Sequence, residues 1–323
     1  MKKAQWAGVF PAITTPFKQD LTVDHDFVAR HVSWLVDHGC SGIVALGSLG
    51  ESATLDFEEK VEIIETCVAA VGNRVPIVAG IAGLRTSECV ALARRAADAG
   101  CDGIMALPPY VYKGTWPEMR AHFGAVIDAT DLSCMLYNNP IAYGTDVTPD
   151  QLEELTSHEN LHAVKESSGD VRRVTAVVAR LGDRLNVFAG MDDMIVEAIM
   201  MGASGWIAGL VNALPAESVE LVRLTNAGQI KEARELYDWF LPLLRLDTVP
   251  EFVQYIKLVQ QEMGCGTAYV RPPRLELEPV AAADTRALLQ RHLQFRPKVA
   301  SRPMAIVSTA GRATELQTLR RDR

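Results

Sequence analysis

Ala99-Gly100-Cys101-Asp102-Gly103-Ile104 holds a helix end, a tight turn and a strand start in six residues. The amphipathic segment 87–99 runs into Gly100, a residue that stops a helix because it tolerates positive φ. An apolar run, 103–107, begins three residues later. His38-Gly39-Cys40-Ser41-Gly42-Ile43 repeats the arrangement behind a helical pattern at 27–38, which starts after the capping residues Asp24 and Asp26. A third helical pattern, 58–71, stops before Gly72. Working outward, further short apolar runs lie at 9–14, 42–46, 76–80, 133–137, 161–165, 186–190 and 204–208. Each is rich in Val, Ile, Leu, Met or Ala and reads as a strand buried on both faces. Strands alternating with helices allow an open doubly wound sheet or a closed barrel. No G-x-G-x-x-G follows the first strand, so the dinucleotide fold lacks its main signal. Eight units favour a (β/α)8 TIM barrel.

After Gly209 the strands stop. Segment 216–226 reads as the last barrel helix, and 230–244, 251–263 and 281–295 as three more. The expected organisation is a barrel over 1–227, a C-terminal helical region over 228–296 and a basic, disordered tail over 297–323. A chain of 323 residues suits one such barrel with an extension.

The net charge of −8 is spread along the chain, which disfavours nucleic acid as a partner. No run of eighteen or more apolar residues is present, and the start lacks an apolar signal core, so a cytoplasmic protein with no membrane partner is expected. Cys40, Cys67, Cys89, Cys101, Cys134 and Cys265 form no C-x-x-C and read as buried hydrophobes. The histidines show no zinc spacing, so neither a metal nor another cofactor is expected.

Barrel enzymes carry their chemistry at the C-terminal ends of strands. There the fifth run ends in Tyr137, the sixth in Lys165, the seventh at Gly190, and the second leads into Gly47-Ser48-Leu49-Gly50-Glu51. Adjacent strands lie about 4.8 Å apart, so a tyrosine and a lysine on neighbouring ends can face one small volume. Burial favours a neutral amine, which attacks a ketone to give an imine, and a phenol can shuttle the protons. The plainer readings are a lysine paired with Glu166 at a solvated strand end and a tyrosine that fills the barrel. Ser48-Leu49-Gly50-Glu51 fits the S-x-x-E capping box, and free N–H groups at a helix start also bind a carboxylate. A phosphate site at 202–209 is disfavoured because 202–214 holds no basic residue.

On these residues the chain resembles the dihydrodipicolinate synthase and N-acetylneuraminate lyase family of class I aldolases, from about residue 8 to 279. Gly47-Ser48-Leu49-Gly50-Glu51, Tyr137-Asn138-Asn139-Pro140 and Val164-Lys165-Glu166-Ser167-Ser168-Gly169-Asp170 carry the resemblance. It implies a lyase in which Lys165 forms a Schiff base with a 2-oxo acid and Tyr137 is the proton shuttle. Ser48 would relay protons to that tyrosine, and the Ser48 and Leu49 N–H groups would hold the carboxylate. Gly190 and Ile207 would turn carbonyls toward the substrate, and Tyr110 would match one of a tyrosine pair. A homotetramer or homodimer is implied. Leu49 replaces a second hydroxyl residue that many members carry, and Ala142 replaces an arginine of the lysine-biosynthetic members. The latter change argues against condensing pyruvate with aspartate semialdehyde, and Pro108-Pro109-Tyr110 resembles a branch that deaminates 1-pyrroline-4-hydroxy-2-carboxylate. A barrel that binds a 2-oxo acid without catalysis is the remaining alternative.

Overall fold

A computed structural model describes residues 1–109 and 112–299 of the chain. Eight parallel strands form one sheet: β1 Gly8–Pro11, β2 Ile43–Ala45, β3 Ile77–Ile81, β4 Gly103–Ala106, β5 Ser133–Asn138, β6 Leu161–Glu166, β7 Asn186–Ala189 and β8 Gly205–Ala208. Each strand pairs with its successor from β2 onward, and β8 returns to β1. A parallel bridge between Ala12 and Val44 joins the first two strands and closes the barrel. The strands are apolar on both faces because barrel interior and helix layer each take one side.

The helices between strands are α1 His25–Asp37, α2 Phe57–Val71, α3 Thr86–Asp98, α4 Trp116–Ile127, α5 Pro140–Tyr143, α6 Pro149–Leu155, α7 Arg172–Leu181, α8 Ile195–Met200 and α9 Pro215–Asn226. Asp24 caps α1 by accepting from the Phe27 N–H (2.9 Å). Past the barrel come α10 Ile230–Leu244, α11 Phe252–Glu262 and α12 Pro279–Gln294. Among the described residues no helix is long and apolar enough to cross a membrane. The tail expected at 297–323 lies, from residue 300, outside the described residues.

One end of the barrel is plugged by the N-terminal segment. The Trp6 indole donates to Ser133 at the start of β5 (2.7 Å), and Asn186 at the start of β7 donates to the Trp6 carbonyl (2.7 Å). Phe10 and Phe188 meet edge to face above it, with ring centroids 5.3 Å apart. The open end is therefore the one where the strands finish.

The expected capping box at Ser48–Glu51 is corrected. Those residues form a tight turn, with the Glu51 N–H donating to the Ser48 carbonyl (3.1 Å) and Glu51 itself at φ +54°. The box that starts α2 belongs to Asp56 and Glu59. The motif could not serve as a helix start because its glutamate is drawn inward to a buried lysine.

Candidate active site

Register brings the key pair together. Tyr137 on β5 lies opposite Lys165 on β6, one residue before each strand ends. Lys165 is buried, and its Nζ sits 4.2 Å from the Tyr137 ring centroid. The next residues, Asn138 and Glu166, point the other way, as strand alternation requires. Asn138 donates to Glu166 (3.0 Å), and Glu166 also accepts from the Ser168 N–H (2.7 Å). Burial pushes the Glu166 carboxyl up, against the bonds from Ser168 and Asn138. Glu166 is thus engaged behind the strand, and the expected alternative of a Lys165–Glu166 pair at a solvated end does not hold.

Gly190 makes room for this lysine. A Cβ there would lie 1.9 Å from Ser167 Oγ and 2.7 Å from Lys165 Cε. With Ile207 it lines a cavity of about 530 Å³ that also holds Ser48, Leu49, Tyr137 and Lys165.

The hydroxyls are arranged differently from the expectation for Ser48. Its Oγ is hydrogen-bonded to the Tyr143 hydroxyl, not to Tyr137. Tyr137 Oη accepts from Asn139 Nδ2 (2.9 Å), and the Tyr143 ring stands edge-on to Tyr137 at 5.8 Å. Asn139 also caps α5 by accepting from the Ala142 N–H (3.0 Å), which fixes both tyrosines to one short turn. Among the described residues the Ser48 and Leu49 N–H groups have no acceptor. Such paired donors suit a carboxylate.

The turn that carries them is anchored from below. Glu51 is fully buried and takes a hydrogen bond from Lys257 of α11 and another from the Arg271 N–H (3.1 Å). Arg274 lies 3.9 Å from the same carboxylate and also lines the cavity. A cation therefore borders the site although Ala142 is not one.

Two acids complete the surroundings. Asp192, after β7, accepts from Trp206 Nε1 (2.9 Å), the Gly209 N–H (3.1 Å) and the Leu210 N–H (2.9 Å). Burial pushes it up to about 6 against those donors. Asp247, on the short 3-10 helix Arg245–Asp247, lines the cavity itself. Tyr110 lies outside the described residues. Tyr143, Asn139, Asp247 and Arg274 were not picked out from sequence. Asn139 lies inside the quoted tyrosine segment and Tyr143 three residues beyond it, whereas Asp247 and Arg274 follow the last strand, where the strand-end rule gives no guide.

The fold, with a buried lysine beside a tyrosine at the strand ends, and the family match together place the chain among the Schiff-base lyases of the class I aldolase type. The chain belongs to the dihydrodipicolinate synthetase family, whose profile matches residues 5–292. It is 35% identical over 275 residues to the 4-hydroxy-tetrahydrodipicolinate synthase of Methanothrix thermoacetophila, covering 85% of this chain and 92% of that protein. It is 38% identical over 233 residues to the enzyme of the same name from Natronomonas pharaonis, covering 72% and 79%. The crystal structure of dihydrodipicolinate synthase from Aquifex aeolicus is similar with a TM-score of 0.85 at 30% identity, covering 89% of this chain and 98% of that one. The chain is accordingly a metal-independent lyase that acts on a small molecule.

Proposed function

We propose that Lys165 forms the Schiff base, that Tyr137 moves the protons, and that the Ser48 and Leu49 N–H groups hold the substrate carboxylate. The observation that carries this reading is the Lys165 amine set 4.2 Å from the Tyr137 ring, in a cavity bordered by two N–H groups that have no acceptor among the described residues. The Ser48 hydroxyl reaches the site through Tyr143. Gly190 and Ile207 border the rest of the substrate. Tetramers or dimers are the proposed assembly, testable by sedimentation.

For the substrate we propose a single compact 2-oxo acid or its cyclic imine, 1-pyrroline-4-hydroxy-2-carboxylate in particular. Lys165 attacks the ring C=N carbon, and the ring nitrogen leaves as the substrate's own amine. Loss of a C3 proton and the 4-hydroxyl expels one water. Two hydrolyses then consume two waters, releasing ammonia and freeing the lysine. The second reading is condensation of pyruvate with aspartate semialdehyde. Arg274 favours it, since a guanidinium at the cavity wall can pair with a second carboxylate, as does the name shared by the relatives.

Borohydride reduction in the presence of pyruvate, followed by peptide mass analysis, tests the covalent step. The adduct is expected on Lys165 alone and absent in Lys165→Ala; an adduct on another lysine would refute it. Turnover of both candidate substrates on one preparation separates the readings. The pyrroline is expected to be favoured at least about 100-fold in kcat/KM, the worth of one charge-assisted hydrogen-bond pair. Efficient condensation would instead assign Arg274 the second carboxylate.

A further inference from the structure

Asp247 ends the short helix between α10 and α11, which packs on the turn Asp192–Met194. Its carboxyl stands directly over Gly209. A Cβ at that position would lie 2.0 Å from Asp247 Oδ1 and 2.4 Å from Cγ, so the glycine opens the niche the acid fills. Neighbouring Asp192 spends its oxygens on Trp206, Gly209 and Leu210. Asp247 Oδ1, by contrast, is shut off from solvent and has no hydrogen-bond partner among the described residues. A buried oxygen left in that condition destabilises the fold and calls for an explanation. Burial and Asp192 push this carboxyl well above the usual range, while Lys165 opposes them. Asp247 and Lys165 line the same cavity.

The carboxylate holder follows β2 and the imine carbon belongs at the end of β6. Asp247 stands over the end of β8, at neither place, so the group it meets is a third one. A carboxylate there would face an acid with no cation bonded to it. A hydroxyl or amine would supply the missing donor.

We propose that Asp247 is a substrate-binding residue whose carboxyl group, unpartnered at Oδ1, accepts a hydrogen bond from a hydroxyl or amine beyond the imine carbon, selecting 2-oxo acids that carry such a group. This rests on the Schiff-base reading of Lys165. Three probes test it: pyruvate, 2-oxopentanoate and 4-hydroxy-2-oxopentanoate, each titrated into the full-length protein with borohydride. The readout is the concentration giving half-maximal adduct on Lys165. In the wild-type protein the hydroxy acid is expected to half-saturate at a concentration about tenfold below its deoxy counterpart, the usual worth of a hydrogen bond to an acid. In Asp247→Leu that ratio is expected to fall to about one, with Asp247→Asn, which keeps an acceptor, in between. Both variants are expected to melt no lower than wild type, since an unpartnered buried group is removed or neutralised. Should the leucine variant fail to fold, a reduced ratio in Asp247→Asn still supports the assignment and an unchanged one overturns it. A wild-type ratio of one, or a preference that survives in Asp247→Leu while adducts form normally, would sink the role of Asp247 alone. No adduct with any of the three would overturn the Schiff-base reading, and this inference with it.

Discussion

Replacing Lys257 with methionine keeps the length and packing of the side chain and removes its charge. Lys257 and Glu51 are buried together, with side chains 1% and 0% exposed. The ammonium also donates to the Tyr269 carbonyl (2.7 Å) and sits 4.3 Å from the Phe17 ring centroid. Burial pushes Lys257 down to about 8, against the pull of Glu51. Removing one partner of a buried pair costs about 3–5 kcal/mol, since the other charge is stranded. Arg274, at 3.9 Å, and the Arg271 N–H, at 3.1 Å, remain to meet Glu51, which puts the loss near the lower limit. For a chain of this size about 3 kcal/mol corresponds to a fall in Tm of roughly 6–12 °C, read by differential scanning fluorimetry. Glu51 also fixes the turn bearing Ser48 and Leu49, so half-saturation by pyruvate in the trapping assay should rise about tenfold. Adding Glu51→Gln to Lys257→Met should recover much of the stability, because no lone charge is then buried. A single variant melting within about 2 °C of wild type would refute the reasoning, for it would mean the pair contributes less than about 1 kcal/mol.

Tyr137→Phe keeps the ring and loses the phenol; kcat should fall about 10²–10⁴-fold with KM changing far less, and near-normal turnover would return the residue to packing. Burial holds His31 down at about 4, against an ordinary 6.5, with its Nε2 bonded to Asn212 Oδ1 (3.1 Å). The unfolded chain protonates first, so stability on the order of 3 kcal/mol should drain away as pH falls from about 6.5 to about 4. His31→Gln should flatten that slope in urea midpoints measured across the range. Among the described residues no group of three or more His, Cys, Asp or Glu could hold a metal. EDTA should leave turnover unchanged, and activity restored by one divalent ion would point to a metal aldolase.

Much of this was legible because barrel strands announce themselves. The apolar runs fall on the observed strands, and the two quoted turns lie where α1 gives way to β2 and α3 to β4. Lys165 and Tyr137 could be found because strand-end position is a local property and their pairing follows from adjacency. Ser48 was less legible. Its motif matches a helix cap by letter, but the glutamate answers to a lysine 206 positions away. Asp247 and Arg274 were invisible for the same reason. They reach the cavity from a region without strands, and only tertiary packing brings them there.

That reach has a consequence in time. Glu51 is made 206 residues before Lys257. At about 5–20 residues per second, the interval is roughly 10–40 s. Only in its last quarter, once Ala208 has been made, does the growing chain carry every strand of the barrel together with the Lys165 amine on β6. It lacks the cation that seats the carboxylate-holding turn. The helix that follows the barrel strands thus works as a release catch, for the turn beside Lys165 is seated only when Lys257 arrives.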